Sequence, residues 1–207
     1  MGTDKFAALD LSSKTGWSIF DENELKDYGR LDCKIVDFNV NKEPNKSPHY
    51  PYNIMDASKD MVDKVMVILN TYKVGHVVVE NTVKGRNRNT QRFLEWLHYA
   101  TCEKFREKGI VFKYMDPSEW RAALNIRLSS DDKKNNKKVK KAFDMGLSKK
   151  EAKVKGKVGR KHLSVRYVNE YMKKIGIFNY GPLKLKDNDI ADSICLGLAY
   201  LSTKQKQ

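Results

Sequence analysis

Phe6-Ala7-Ala8-Leu9-Asp10-Leu11-Ser12-Ser13-Lys14-Thr15-Gly16-Trp17-Ser18-Ile19-Phe20 packs two strand signals and one acid into a single short stretch. Phe6 to Leu9 is a continuous apolar run, the pattern of a strand buried on both faces. Asp10 closes that run, where the sheet still holds the backbone rigidly. Ser12 to Gly16 supplies turn residues, and Trp17 to Phe20 reads as an antiparallel return. A carboxylate on a buried strand is expensive unless a cation or hydrogen-bond donors hold it. Asp10 therefore has two readings: it caps the turn through its own backbone, or it meets other acids brought from elsewhere in the chain.

Outward from this stretch, Asp21-Glu22-Asn23-Glu24 gives a turn and Lys26 to Cys33 a third strand that closes an antiparallel meander. Ile35 to Tyr52, with Pro44, Pro48 and Pro51, reads as a loop. Ile54, Ala57, Met61, Val65, Ile68 and Leu69 recur at helical spacing, so a helix runs from Asn53 to about Tyr72 and stops at Gly75. His76-Val77-Val78-Val79-Glu80 is a second very apolar short strand, and it too ends in an acid. Thr82 to Asn89 is a loop carrying Lys84, Arg86 and Arg88. A helix from about Thr90 to Glu107 turns Phe93, Leu94, Leu97, Thr101 and Phe105 inward and ends at Gly109. Ile110 to Met115 is a fifth strand, and Asp116-Pro117-Ser118-Glu119 starts a short helix through Leu124. Lys161 to Ile175 is helical again. The last element, from about Asp187 to Leu201, is apolar on most sides and is expected to be buried.

Three hairpin-linked strands followed by helical crossovers imply an α/β fold, a mixed sheet of five strands with helices on both faces. Right-handed crossovers place the fourth strand beside the first, which brings Asp10 and Glu80 to compatible ends of neighbouring central strands. Asp189 and Asp192 lie three residues apart near the start of the last helix, on one side of it. Two acids there also suit the positive end of a helix dipole, a reading that fits Asp189 better than Asp192, whose neighbours Ile190, Ala191, Ile194 and Cys195 are core-like. If this helix packs on the central strands, Asp10, Glu80, Asp189 and Asp192 converge. Four such acids cannot all stay ionised without cations, and oxygen ligands select hard ions such as Mg2+ or Mn2+. Two metals can bridge carboxylates and phosphate oxygens, which makes phosphodiester hydrolysis the sensible reaction class.

Charge points the same way. The net charge is +14. Between Lys133 and Lys161 there are thirteen lysines and arginines against two acids, Asp144 and Glu151, so most of the excess lies in one segment. Such a run is either a solvated surface or the footprint of a polyanion, and nucleic acid is favoured over an acidic membrane because no apolar helix face accompanies the lysines. No apolar run approaches the roughly 20 residues that span a bilayer. The first residues show no secretory signal, and Phe6 stands where a myristoylation site needs Ser or Thr. Cys33, Cys102 and Cys195 are widely spaced and form no C-x-x-C pair, so a reducing, cytoplasmic compartment is expected. His49, His76, His98 and His162 are scattered without metal-ligand spacing and are read as structural or solvated.

The order of elements and the placement of acids resemble the RNase H-like nuclease superfamily, and within it the RuvC-type Holliday junction resolvases, especially the forms carried by bacteriophages and poxviruses. The matching stretches are Ala8 to Trp17, Val77-Val78-Val79-Glu80-Asn81, and Asp189-Ile190-Ala191-Asp192-Ser193 followed by an apolar helix. The resemblance implies a homodimer that sets two metal-dependent sites on a four-way DNA junction and cuts strands of like polarity. It implies two Mg2+ ions per site, with Mn2+ substituting, Asp10 bridging them, and Glu80, Asp189 and Asp192 completing their shells. Arg121 and Lys161 fall near positions where the family carries basic residues facing DNA. Two features depart from the pattern. Val83 stands where bacterial members carry an aromatic that probes the junction, and Lys84-Gly85-Arg86-Asn87-Arg88 follows it, which suggests recognition by shape and charge. The segment at about 129–160 looks like a basic insertion in a single domain spanning residues 1–207.

DNA contacts are therefore expected from Lys84, Arg86, Arg88, Arg121, Lys137, Lys138, Lys140, Lys141 and Lys161, and an apolar dimer surface from Phe93, Trp96 and Tyr99, which helical spacing alone equally allows as core. Two other readings compete with a junction endonuclease. One keeps the fold and changes the substrate to RNA–DNA hybrid or structured RNA. The other is a non-catalytic basic nucleic-acid-binding protein whose acids are only caps.

Overall fold

The structure, a computed structural model, describes residues 5–33, 51–81, 88–148, 156–176 and 181–204. Its frame is a sheet of five strands: β1 (Phe6–Asp10), β2 (Lys14–Asp21), β3 (Glu24–Asp32), β4 (His76–Glu80) and β5 (Val111–Met115). Their order is β3-β2-β1-β4-β5, antiparallel from β3 to β1 and parallel from β1 to β5. The apolar run that opens the chain thus becomes the central strand, as a sequence without polar alternation requires.

Strand alternation sorts the side chains into two cores. Ala7, Leu9, Val77 and Val79 pack against α1 (Tyr52–Tyr72) and α2 (Arg88–Glu107). Phe6, Ala8, Phe20 and Val78 face the other layer, α5 (Arg160–Ile175) and α6 (Asn188–Lys204). Because successive side chains point to opposite faces, Asp10 follows Phe6 and Ala8, and Glu80 follows Val78, onto the α6 side.

Helix α6 lies directly along β2, and small residues permit it. A Cβ on Gly16 would stand 1.9 Å from the Asp189 carbonyl oxygen, and one on Gly197 would stand 2.1 Å from the Phe20 ring. Between them the Ser18 hydroxyl donates to the Ser193 carbonyl at 3.0 Å. Residues 16, 18 and 20 of the strand meet residues 189, 193 and 197 of the helix because two strand residues advance about 6.8 Å and four helical residues about 6 Å. That register sets the first turn of α6 beside the end of β1.

Several sequence expectations need correction. Arg88 is the first residue of α2 instead of a loop residue, and β3 starts earlier, at Glu24. Phe93 is not a surface residue but belongs to the α1/α2 core, whereas Trp96 and Tyr99 are exposed, 37% and 66%. The lysine-rich segment, which shows no clear boundary in sequence, contains α4 (Ser130–Asp144), capped by the Ser129 side chain on the Asp132 amide. A short helix α3 (Pro117–Ala123) starts at the expected Asp116 cap. The expected loop at 35–52 lies largely outside the described residues.

Candidate active site

The turn after β1 does not use Asp10. Its closure comes from Ser12 and Thr15: the Thr15 hydroxyl donates to the Ser12 carbonyl at 2.8 Å and accepts from the Ser12 amide at 3.1 Å, while the Lys14 amide donates to the Ser12 hydroxyl at 3.0 Å. The Asp10 carboxylate is left to the α6 side, in the register one step beyond the Leu9–Val79 pair, where Glu80 follows on β4. Burial pushes the Asp10 carboxyl well up from its ordinary value, and the negative charges of Glu80, Asp192 and Asp189 add to the rise against a partial offset from Lys161.

Glu80 is oriented by an indole. Trp120 Nε1 donates to Glu80 Oε2 at 2.8 Å, and Trp120 itself is fully buried on α3. The start of α3 is tied back to β4, since Asn81 Nδ2 donates to Asp116 Oδ1 at 2.8 Å. Burial and the neighbouring Asp192 push the Glu80 carboxyl up to about 7, against the opposing influence of the Trp120 bond and of Arg121.

Asp192 is buried in the second turn of α6, and its Oδ1 has no hydrogen-bond partner among the described residues. Burial raises its carboxyl, as does Asp189. The Ser164 hydroxyl from α5, Arg121 and Lys161 favour the charged form. Asp189 accepts from Asn188 Nδ2 at 2.7 Å, and Asn188 Oδ1 accepts from Lys161 Nζ at 3.2 Å, so the lysine reaches the acidic group through an amide.

The four acids named from sequence are therefore gathered at one end of the sheet and sense one another electrostatically. They do not form a closed cage. Among the described residues no three acidic, histidine or cysteine side chains stand close enough to hold a metal ion as placed. The donor set nevertheless suits a hard divalent ion. It offers only oxygens, one of them buried without a donor, and it carries more negative charge than burial tolerates. Neither His76 nor His98 belongs to the group; His98 is buried against Tyr114, with its imidazole pushed down to about 4 by burial. His49 lies outside the described residues.

The basic residues divide. Arg121 does not face outward: its guanidinium lies 4.1 Å over the Trp120 ring, its Nη1 donates to the Pro117 carbonyl at 3.1 Å, and it lies in electrostatic reach of Glu80 and Asp192. Lys161 is exposed at the start of α5, and Arg88 is exposed at the start of α2. Lys137, Lys138, Lys140 and Lys141 are exposed on α4. Lys84 and Arg86 lie outside the described residues. Sequence reasoning misses Trp120, Asn188 and Ser164, because each acts on an acid carried by another element or by an adjacent residue. Gly16 is visible in sequence only as a turn residue, although its missing side chain is what admits α6.

No family model and no curated protein matches this chain. Solved structures do. The RuvC structure from Thermus thermophilus superposes with a TM-score of 0.57 at 12% identity, covering 98% of this chain and 96% of that one. RuvC from the same organism in complex with a Holliday junction substrate gives 0.51 at 12% identity, over 98% and 95%. The fowlpox virus resolvase bound to Holliday junction DNA is matched more loosely, at 0.44 and 14% identity over 97% and 98%. The chain has the fold of a RuvC-like resolvase, an RNase H-like mixed sheet between two layers of helices.

Proposed function

We propose that this protein is a metal-dependent endonuclease that resolves four-way and other branched DNA junctions by phosphodiester hydrolysis. The observation that carries the reading is the acidic group itself: Asp10, Glu80 and Asp192 all have carboxyls raised by burial and mutual repulsion, on a RuvC-like frame, in a strongly basic protein. Asp10, Glu80, Asp189 and Asp192 would hold two Mg2+ ions, with Mn2+ able to substitute. When bound, the ions supply charge neutralisation at the scissile phosphate and lower the cost of ionising an attacking water. The chain's own residues do the rest. Trp120 keeps Glu80 turned toward the group, Asn188 links Asp189 to Lys161, and Ser164 and Arg121 favour the charged form of Asp192 against its burial. Lys161 and the α4 lysines offer cations to the DNA backbone, which positions a duplex without reading its sequence.

A second copy of the chain completes this reading. The hollow between α1 and α2, about 690 Å³, is lined by Met55, Val62, Trp96 and Tyr99. Exposed aromatic side chains around a groove suit burial against a partner. Sedimentation of a dilute sample is expected to give a dimer, and Trp96→Glu is expected to give a monomer; a monomeric parent protein would remove this part of the proposal.

Substrate class is tested by offering four-way, Y-shaped, linear duplex and RNA–DNA hybrid molecules side by side with Mg2+. The proposal expects cleavage of the branched DNAs over linear duplex. Preferential cleavage of the hybrid would move the substrate to RNA–DNA duplexes, and no cleavage of any substrate would leave a binding protein.

A further inference from the structure

Helix α5 packs against α6 beside the acidic group, and residues three apart on one helix serve acids three apart on the other. Lys161 and Ser164 lie one turn apart on α5, as Asp189 and Asp192 do on α6. The Ser164 hydroxyl acts on Asp192 directly. Lys161 stops one residue short of Asp189. Its Nζ donates to Asn188 Oδ1 at 3.2 Å, and Asn188 Nδ2 donates in turn to Asp189 Oδ1 at 2.7 Å. Asn188 is the first residue of α6 and is only 7% exposed.

Starting the helix does not require this side chain. The turn before it, Leu185–Asp187, is closed by Asp187, whose carboxylate accepts from the Lys184 amide and whose own amide donates to the Lys184 carbonyl, both at 2.9 Å. Both polar atoms of Asn188 are turned to Lys161 and Asp189 instead. The partners fix which atom faces which, since an ammonium only donates and an ionised carboxylate only accepts. Lys161 is thus an exposed cation beside several acids, yet among the described residues it makes no direct ion pair with any of them. A direct pair would neutralise Lys161 and Asp189 with each other. The interposed amide takes one carboxylate oxygen and one of three ammonium donors. Asp189 Oδ2 stays open to a cation, and two N–H groups of Lys161 stay open to an anion.

We infer that Asn188 is a positioning residue, a spacer that holds the Lys161 ammonium and the Asp189 carboxylate side by side but unpaired, leaving the acid free for a divalent ion and the ammonium free for a substrate phosphate. The inference rests on the metal-dependent reading above and names what keeps a cation for DNA and an acid for metal compatible at such close quarters. The lysine stem has four flexible carbons, and without the amide it falls onto the nearest carboxylate. That single collapse removes Asp189 from the ion and Lys161 from the DNA together.

The test titrates DNA-free protein with Mn2+ and follows free Mn2+ by electron paramagnetic resonance, in the parent, Asn188→Ala, Lys161→Met and the double variant. Asn188→Ala is expected to bind Mn2+ about 10–100-fold more weakly than the parent. Lys161→Met, which leaves the amide on Asp189, binds it at least as tightly as the parent. The double variant regains most of the loss, because the competing ammonium is gone. A misfolded protein is not repaired by removing a lysine, so this recovery separates a lost spacer from lost folding. Asn188→Ser keeps a polar side chain at this buried position but is too short to meet both partners, and it is expected to repeat the pattern. Binding to a four-way junction in chelator gives a second readout: Asn188→Ala and Lys161→Met each weaken it about two- to fivefold, and the double variant no further than Lys161→Met. Parent-like Mn2+ binding by Asn188→Ala, or a double variant as weak as Asn188→Ala, overturns the inference and leaves the metal-dependent reading in place. Fully additive losses of junction binding overturn it too. A parent protein that binds no Mn2+ overturns the underlying reading, and this inference with it.

Discussion

Glu80 shows how a single side chain can be both held and pressed. The Trp120 indole favours its charge, while burial and Asp192 oppose it, and the balance leaves its carboxyl near 7 without a metal. The folded state therefore keeps a proton that the unfolded chain, with an ordinary value of 4.5, has already released. The stability this contributes is complete below about 4.5 and is lost as pH rises through about 7. Glu80→Gln, which cannot ionise, is accordingly expected to melt like the parent at pH 5 and above it at pH 8, both with chelator, while losing cleavage. Equal melting at both pH values would contradict the assigned burial. Comparing the two proteins also cancels His98, whose depressed value gives the opposite slope at lower pH. Trp120→Phe removes the one bond that favours the charged form, so the acid limb of its cleavage profile is expected to move to higher pH. Measured single-turnover rates with an unshifted limb would reduce Trp120 to a packing residue.

At the level of elements, the approach of α6 to β2 decides whether an acidic group exists at all. Gly16→Ala would drive a Cβ into the Asp189 carbonyl, with backbone on both sides and nothing flexible to yield. Overpacking of this kind costs about 1–3 kcal/mol, and here it also displaces Asp189, so both chemical-denaturation stability and cleavage are expected to fall. Parent-like behaviour in both would show that α6 has another seat. The elements that carry acids were legible in the chain because their physics is simple: β1 and β4 lack polar alternation, and α6 is apolar nearly all round. Helix α4 was not, because its inner face is mostly polar and is held by hydrogen bonds from Asn135 and Asn136 to residues 156–158, a pairing that no periodicity records. The same limit hid Trp120, a helical residue whose partner is forty residues away on strand β4. Sequence spacing also cannot distinguish acids that sense one another from acids in ligand contact, and among the described residues the structure supplies the former.

For the whole molecule, the separation of charge is the dominant feature: a group of acids at one end of the sheet and an exposed, lysine-rich helix α4, in a chain of net charge +14. The α4 lysines are exposed and unspent on structure to the extent that Lys137, Lys138, Lys140 and Lys141 can be replaced together without disturbing the Asp132–Arg166 clasp. Replacing all four with glutamine is expected to weaken DNA binding and to flatten its salt dependence by up to about 0.9 per lysine in the log–log slope. An unchanged slope would make α4 a bystander. The acids, by contrast, are unsuited to touching a polyanion unless cations stand between them. Asp10 sits at the centre of that arrangement, and Asp10→Asn keeps its shape while removing its charge. The most direct test is therefore Mg2+-dependent cleavage of a four-way junction by the parent protein and by Asp10→Asn, with junction binding measured on the same samples. The variant is expected to bind at least as well as the parent and not to cut; cutting at the parent rate would contradict the assignment of Asp10 to the active site.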